Sequence, residues 1–302
     1  MIIKKNELSK FKKNIFSECG EDGIIEEVFY RLKKAKIALD KRCCEFGAWN
    51  GMHASNTYNL IKNQNYEGIL IEGDKKKFKE LCNNIPDKKI IKINKFVEFL
   101  GKNKLDNILK KNNFYKNFDF LSIDIDGNDY HIFEGLEYYK PKLICIEFNP
   151  SIPNEVIFIQ KKDAKINQGS SALALIELAK KKNYYPVAAT DLNLFFIKNS
   201  LKKYILKKKN YKINDLINDK NKNYIFFGYD GSIMTSKTVF LTWHGLKVKK
   251  INVLPKILNQ FPGNYNLLKK MLLILFLFYK DPLKYLQSPK KYSIKLLNRI
   301  CN

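Results

Sequence analysis

Between residues 42 and 149 the chain alternates compact apolar runs with stretches whose apolar residues recur every three or four positions. RCCEF (42–46), YEGILIEGD (66–74), KIIKIN (89–94), FDFLSIDID (118–126) and KLICIEFN (142–149) predict five strands. They show little polar alternation, as expected of strands covered on both faces. Helical spacing of Ile24, Ile25, Val28, Phe29 and Leu32 predicts a helix over 22–34, with acids at its start and lysines at its end. Further helices are predicted over 55–63, 75–85, 105–112, 131–139 and 170–184. Strands and helices in this rhythm define an α/β fold with a mainly parallel sheet and right-handed crossovers.

YPVAAT (185–190) and NLFFIK (193–198) predict two more strands joined by a tight turn at Asp191-Leu192. A closing antiparallel pair after five βα units is common in methyltransferases and unusual in dinucleotide-binding dehydrogenases. The expected architecture from the pattern is an α/β fold with a mainly parallel sheet and a closing antiparallel strand pair. The periodicity degrades after 200, which predicts one domain over 1–200 and a lysine-rich, mostly helical C-terminal extension over 201–302. MLLILFLFY (271–279) is about half the length of a membrane span. It reads as a buried helix, with an interfacial anchor beside its flanking lysines as the alternative.

Composition changes this picture little. The chain has 302 residues, 45% of them hydrophobic, and a net charge of +25. Such charge suits nucleic acid, anionic lipid or an acidic substrate. Lysine carries most of it and is spread along the whole chain, arginine is scarce, and no nucleic-acid module is present. The expectation is a solvated surface with no specific nucleic-acid partner and at most peripheral membrane contact. The N-terminal MIIKKNELSKFKKN lacks the apolar core of a signal peptide. Cysteines 19, 43, 44, 82, 145 and 301 form no CxxC pair or zinc spacing, which suits a reducing cytoplasm.

Candidate chemistry gathers at the carboxyl ends of the strands, where α/β folds bind ligands. CCEFGAWNG places Glu45, Gly47, Ala48 and Gly51 in an E-x-G-x-x-x-G turn after the first strand. Glycines admit close backbone approach, but the G-x-G-x-x-G spacing that cradles a pyrophosphate is absent. An acid beside the turn favours a cationic, phosphate-free ligand, and S-adenosylmethionine fits that description. Glu72, with Gly73, ends the second strand, where a carboxylate accepts ribose hydroxyls; Asp74 suits the N-cap of the next helix. Asp124 and Asp126 are two apart and, in a strand, point the same way. They face a transferring methyl group or hold a divalent metal, Mg or Mn, for a glycosyltransferase. Asp126, Glu147 and Asn149 form a candidate metal shell, or hydrogen-bond an acceptor hydroxyl. His53 is a candidate general base or a helix-start residue. SECGEDG (17–23) reads as helix-start electrostatics or a lid over the cleft.

FSECGEDGII, CCEFGAWNGMHASNTYNL, GILIEGD, DFLSIDIDGNDYHIFEGL and LICIEFN, in this order, resemble the FkbM-type S-adenosylmethionine-dependent methyltransferases over roughly residues 14–200. DFLSIDIDGNDY with the following E-G-L is the most specific part. The resemblance implies a Rossmann-like methyltransferase fold, in which Glu45, Gly47 and Gly51 line the methionine end of the cofactor and Glu72 holds the ribose. It implies O-methylation, often of a sugar or small metabolite. For that chemistry the residues themselves offer Asp124 and Asp126, before His53, as catalytic candidates. The sequence departs from the family at Glu18, where relatives tend to have Gln, and at TDLNLFF, where relatives tend to have a longer, glycine-containing connection. Two other functions remain open at this stage: a metal-dependent glycosyltransferase built on Asp124-x-Asp126, and a non-catalytic binding protein that keeps the cofactor pocket.

Overall fold

The computed structural model describes residues 7–207, 211–218, 223–241, 244–248 and 251–282. The start of the N-terminal segment, Thr242 and Trp243 of LTWHG, and Cys301 lie outside the described residues. The chain divides into two compact units, Met1–Lys222 and Asn223–Asn302. The first unit runs past the boundary expected at 200, because Ile205 and Leu206 are buried in one of its core clusters and Ile217 in another.

The first unit is built on a seven-stranded sheet. Its strands are β1 (Arg42–Phe46), β2 (Glu67–Glu72), β3 (Ile90–Asn94), β4 (Phe120–Ile123), β5 (Leu143–Glu147), β6 (Tyr184–Ala189) and β7 (Asn193–Lys198). The order across the sheet is β3-β2-β1-β4-β5-β7-β6. β1 to β5 pair in parallel, and β7 runs antiparallel to both β5 and β6. This is the Rossmann-like methyltransferase arrangement that the resemblance implied, and it includes the closing antiparallel pair expected from the pattern.

Side chains on each strand alternate between two buried faces. Cys44, Leu121, Ile123, Ile144 and Ile146 face one cluster, with α4 (Leu105–Lys111), α5 (Asp129–Gly135) and α6 (Ala172–Lys181) packed over them. Cys43, Phe120, Leu143 and Cys145 face the other, under α1 (Glu21–Lys34) and α7 (Lys202–Ile205). Covering both faces is what lets the strands be apolar throughout. Two more helices flank β2: α2 (Tyr58–Gln64) and α3 (Lys75–Asn84). The Asp74 side chain accepts from the N–H groups of Lys76 and Lys77, both at 2.9 Å, and caps α3 as expected.

The second unit carries two short hairpins, β8 (Ile225–Phe227) with β9 (Ile233–Thr235) and β10 (Val239–Leu241) with β11 (Leu246–Val248). It also carries a longer helix, Leu267–Lys280, numbered α9 after the short α8 (Ile213–Leu216) of the first unit. The helix expected to be buried around 271–279 has no buried residue. No described helix is long and apolar enough to cross a membrane.

Candidate active site

Glu45 is the next-to-last residue of β1 and is nearly inaccessible. One carboxylate oxygen accepts from the Asn56 N–H (2.8 Å), the other from the hydroxyls of Ser55 (2.7 Å) and Thr57 (2.6 Å). Its role within the chain is to pin the entry to α2. Burial pushes its carboxyl upward, opposed by those three hydrogen bonds.

The glycine turn is required by protein packing. Gly47 has φ +76°, and a Cβ there would lie 1.7 Å from the Asp124 carbonyl oxygen. Gly51, at φ +79°, is approached by Leu81 and Ile85 of the α3 segment. The turn between them is tight: the Gly51 N–H donates to the Ala48 carbonyl (2.7 Å), and the Ala48 N–H to Ile71 (3.1 Å). These contacts lock the β1 loop against the tips of β2 and β4. Trp49 takes the left-handed φ of +47° and remains partly exposed, with Lys77 stacked 4.3 Å from the ring centre. His53 is exposed, with its imidazole edge-on to Trp49 at 5.1 Å.

Glu72 ends β2, almost buried. Its oxygens accept one backbone N–H each, from Trp49 (2.8 Å) and Asp74 (2.7 Å). Each oxygen keeps lone-pair capacity for a further donor, and the two N–H groups fix the plane in which it is offered. Gly73 lies against the ring of Phe96, which is itself largely exposed.

The tip of β4 departs from the expected strand. β4 ends at Ile123, so Asp124 lies just beyond it, and Asp126 sits in a bend at φ +56°. The alternation that would have aimed Asp124 and Asp126 alike does not reach them. Asp129 shapes the bend by accepting from the N–H groups of Ile125 (3.0 Å) and Gly127 (2.9 Å). The Asp126 N–H donates to Glu147 at the end of β5 (3.1 Å). Asn149 turns elsewhere: its amide nitrogen donates to the Gln168 carbonyl (2.7 Å), and its oxygen accepts from the N–H and hydroxyl of Ser151. The expected shell of Asp126, Glu147 and Asn149 is therefore not assembled, and no group of three or more His, Cys, Asp or Glu among the described residues is arranged to hold a metal ion.

What converges instead is a set of carboxyl groups. Asp124 is pushed well above the usual carboxylate range by desolvation and by the neighbouring Asp129, Asp126, Glu45 and Glu18. Glu147 is pushed up to about 10 by burial and by Asp124, Asp129 and Asp126; Asp129 is raised to about 6, chiefly by burial. Among the described residues, none of Glu45, Glu72, Asp124, Asp126, Asp129 and Glu147 forms an ion pair with a base.

The residues 17–23 lie at α1. Asp22 accepts with one oxygen from the N–H groups of Ile15, Phe16 and Ser17 (2.7–2.8 Å). Glu21 accepts from Cys19 N–H and from the Asn193 amide. These acids fasten the N-terminal segment, and Glu18 stays exposed.

Beyond Asn149, sequence reasoning assigned no role to the connection between β5 and α6. Residues 148–171 fold around the buried Gln160. Its amide oxygen accepts from the N–H groups of Gln168 and Gly169, its amide nitrogen donates to Ile166, and its carbonyl accepts from His131 Nε2–H (2.8 Å). Asn167 in this connection donates to the Asp126 carbonyl (3.1 Å), which brings the segment to the acidic cluster. The exposed apolar run Val156–Ile159 was the available signal.

Residues 101–204 match the model of the methyltransferase FkbM domain, in agreement with the resemblance read from the motifs. Among solved structures, the chain is similar to M. capricolum TrmK in complex with S-adenosyl-homocysteine (16% identity, 57% of this chain and 68% of that one, TM-score 0.35). It is also similar to an S-adenosylmethionine-dependent methyltransferase from Clostridium acetobutylicum (7% identity, 60% and 92%, TM-score 0.38). Both likenesses are remote, and the fold assignment rests on the strand order. No curated protein matches the sequence.

Proposed function

We propose that the protein transfers a methyl group from S-adenosylmethionine to a hydroxyl oxygen of a sugar, glycan or small metabolite. The observation that carries this reading is the set of carboxylates without basic partners at the carboxyl ends of β1, β2, β4 and β5, in a chain of net charge +25. Carboxyl groups crowded together away from water are unfavourable as anions on their own, and a cationic guest favours their ionised form. The residues present suit the cofactor: Glu72 offers oriented lone pairs to a ribose diol, and the Glu45 and Asp124 neighbourhood suits an amino-acid ammonium and a sulfonium. When bound, the cofactor supplies a methyl group on a positively charged sulfur.

The chain's own residues orient and exclude water. Gly47 and the β4 tip, held in contact, set the position of the Asp124 backbone. Asp124, at the tip of β4, is the group suited by position to take the acceptor hydroxyl proton, with Asp126 beside it and His53 as the alternative base. The connection 148–171 contributes the acceptor side. The free thiols among the described cysteines suit a reducing compartment, and we place the protein in the cytoplasm.

Isothermal calorimetry tests the ribose contact. Glu72→Gln should weaken S-adenosylmethionine binding at least tenfold, and Glu72→Ala should abolish it. Unchanged affinity in both variants would remove Glu72 from the site.

A further inference from the structure

The second unit presents an unusual surface. α9 spans Leu267–Lys280, and the Asn266 side chain caps it by accepting from the Lys269 N–H (3.0 Å). Leu267, Leu268, Met271, Leu275, Phe278 and Tyr279 are all strongly exposed, from 45% for Phe278 to 78% for Tyr279. At 100° per residue these six positions fall within an arc of about 120°. They form one continuous apolar stripe turned to solvent. Lys269, Lys270 and Lys280 fall outside that arc, and Lys269 is tied to Gln260. The hairpin residues Phe226, Phe227, Phe240 and Leu241 add further exposed apolar surface within the same unit.

A stripe of this kind implies something that covers it, and charge identifies the chemistry. From 223 to 302 the chain carries thirteen Lys and Arg, all but one of them Lys, and its acids are Asp230 and Asp281 alone. An acidic groove would need a matching shape for each projecting side chain. An anionic bilayer needs none: it accepts an apolar helix face at the acyl boundary, while lysines reach the phosphates. The helix is about 21 Å long, too short to span and long enough to lie in the interface. We propose that the second unit binds anionic membrane surfaces by laying the outer face of α9 into the lipid interface. Methylation does not enter this inference, so either can fail without the other.

Co-sedimentation of the full chain with vesicles tests it. Phosphatidylcholine vesicles containing one-third phosphatidylglycerol should bind the protein at least tenfold more tightly than phosphatidylcholine alone. Leu275→Glu combined with Phe278→Glu should weaken that binding by at least tenfold, with an unchanged melting temperature for the first unit. If the double variant loses helix by circular dichroism, the single change Tyr279→Glu, at a nearly solvated ring, should still weaken binding severalfold. Failure of the wild-type chain to sediment with anionic vesicles would overturn the proposal. So would equal binding by the folded variants, or a dimer of the chain that the double variant dissociates while vesicles capture neither form.

Discussion

The two edges of the main sheet treat charge in opposite ways. At the edge where β4 and β5 begin, Asp119 is fully buried and fully satisfied. It accepts from the N–H groups of Asp40 (3.2 Å) and Lys41 (2.8 Å) and from the Lys142 ammonium (2.7 Å), which also meets Asp40. Lys142 is raised by these two acids in spite of its burial. Arg42 reaches Glu67 along the same edge. At the opposite edge, where β1, β2, β4 and β5 end, the carboxylates meet backbone N–H groups, hydroxyls and one another, and no base among the described residues. One edge has closed its electrostatics within the chain. The other leaves them open, as a site for a cationic guest would be.

The largest test of that contrast is to break the closed edge. Asp119→Ala takes from the buried Lys142 one of its two carboxylate partners and strips two N–H groups of their acceptor. Urea unfolding of the first unit should show a loss of about 3–5 kcal/mol. A loss below about 1 kcal/mol would mean that the pair is dispensable and the edges are not distinct.

Glu147→Gln probes the open edge and should have the opposite sign. The folded carboxyl, near 10, lies far above its ordinary value of 4.5. A carboxyl raised in the folded state holds its proton there over a range of pH in which the unfolded form releases it. That contribution to stability is fully present below pH 4.5 and is lost progressively as pH rises toward 10. Removing the titration should therefore raise the melting temperature at pH 8, by about 2–4 °C. The gain should vanish near pH 4. A variant less stable than wild type at pH 8 would show that the open edge is internally compensated.

The smallest effect is expected at Asp74. It lies beside the open edge but is held below the usual carboxylate range by the N–H groups of Lys77 and Lys76. Asp74→Ala should lower the melting temperature by about 2 °C and leave cofactor affinity unchanged. A tenfold loss of affinity would add Asp74 to the site and enlarge the open edge.

Much of the sheet was legible because its strands are buried on both faces, so apolar runs such as GILI and LICI mark them without ambiguity. NLFFIK coincides with β7 from end to end. The strand tips were less legible. FDFLSIDID reads as one strand through Asp126, yet the chain leaves β4 after Ile123 because Asp129, three residues beyond Asp126, gathers the N–H groups of the bend. Hydropathy alone does not record that a carboxylate will fold back on the residues before it. The glycines at 47 and 51 were located correctly as a turn. Their demand for space comes from Asp124, Leu81 and Ile85, contacts distant in sequence that spacing does not encode. The apolar run at 271–279 was legible as a helix. Its outward stripe was not, because a short apolar helix is by itself as compatible with a core as with an interface.

The connection around Gln160 carries a consequence for how this scaffold diversifies. One amide side chain, through three hydrogen bonds to main-chain groups at 166, 168 and 169, holds the inner course of residues 148–171. Those bonds use backbone atoms on the partner side and are indifferent to which side chains the outer residues carry. Val156, Ile157 and Phe158 can therefore be exchanged with the frame intact, so that the outer surface of this connection can change while the strand tips stay fixed.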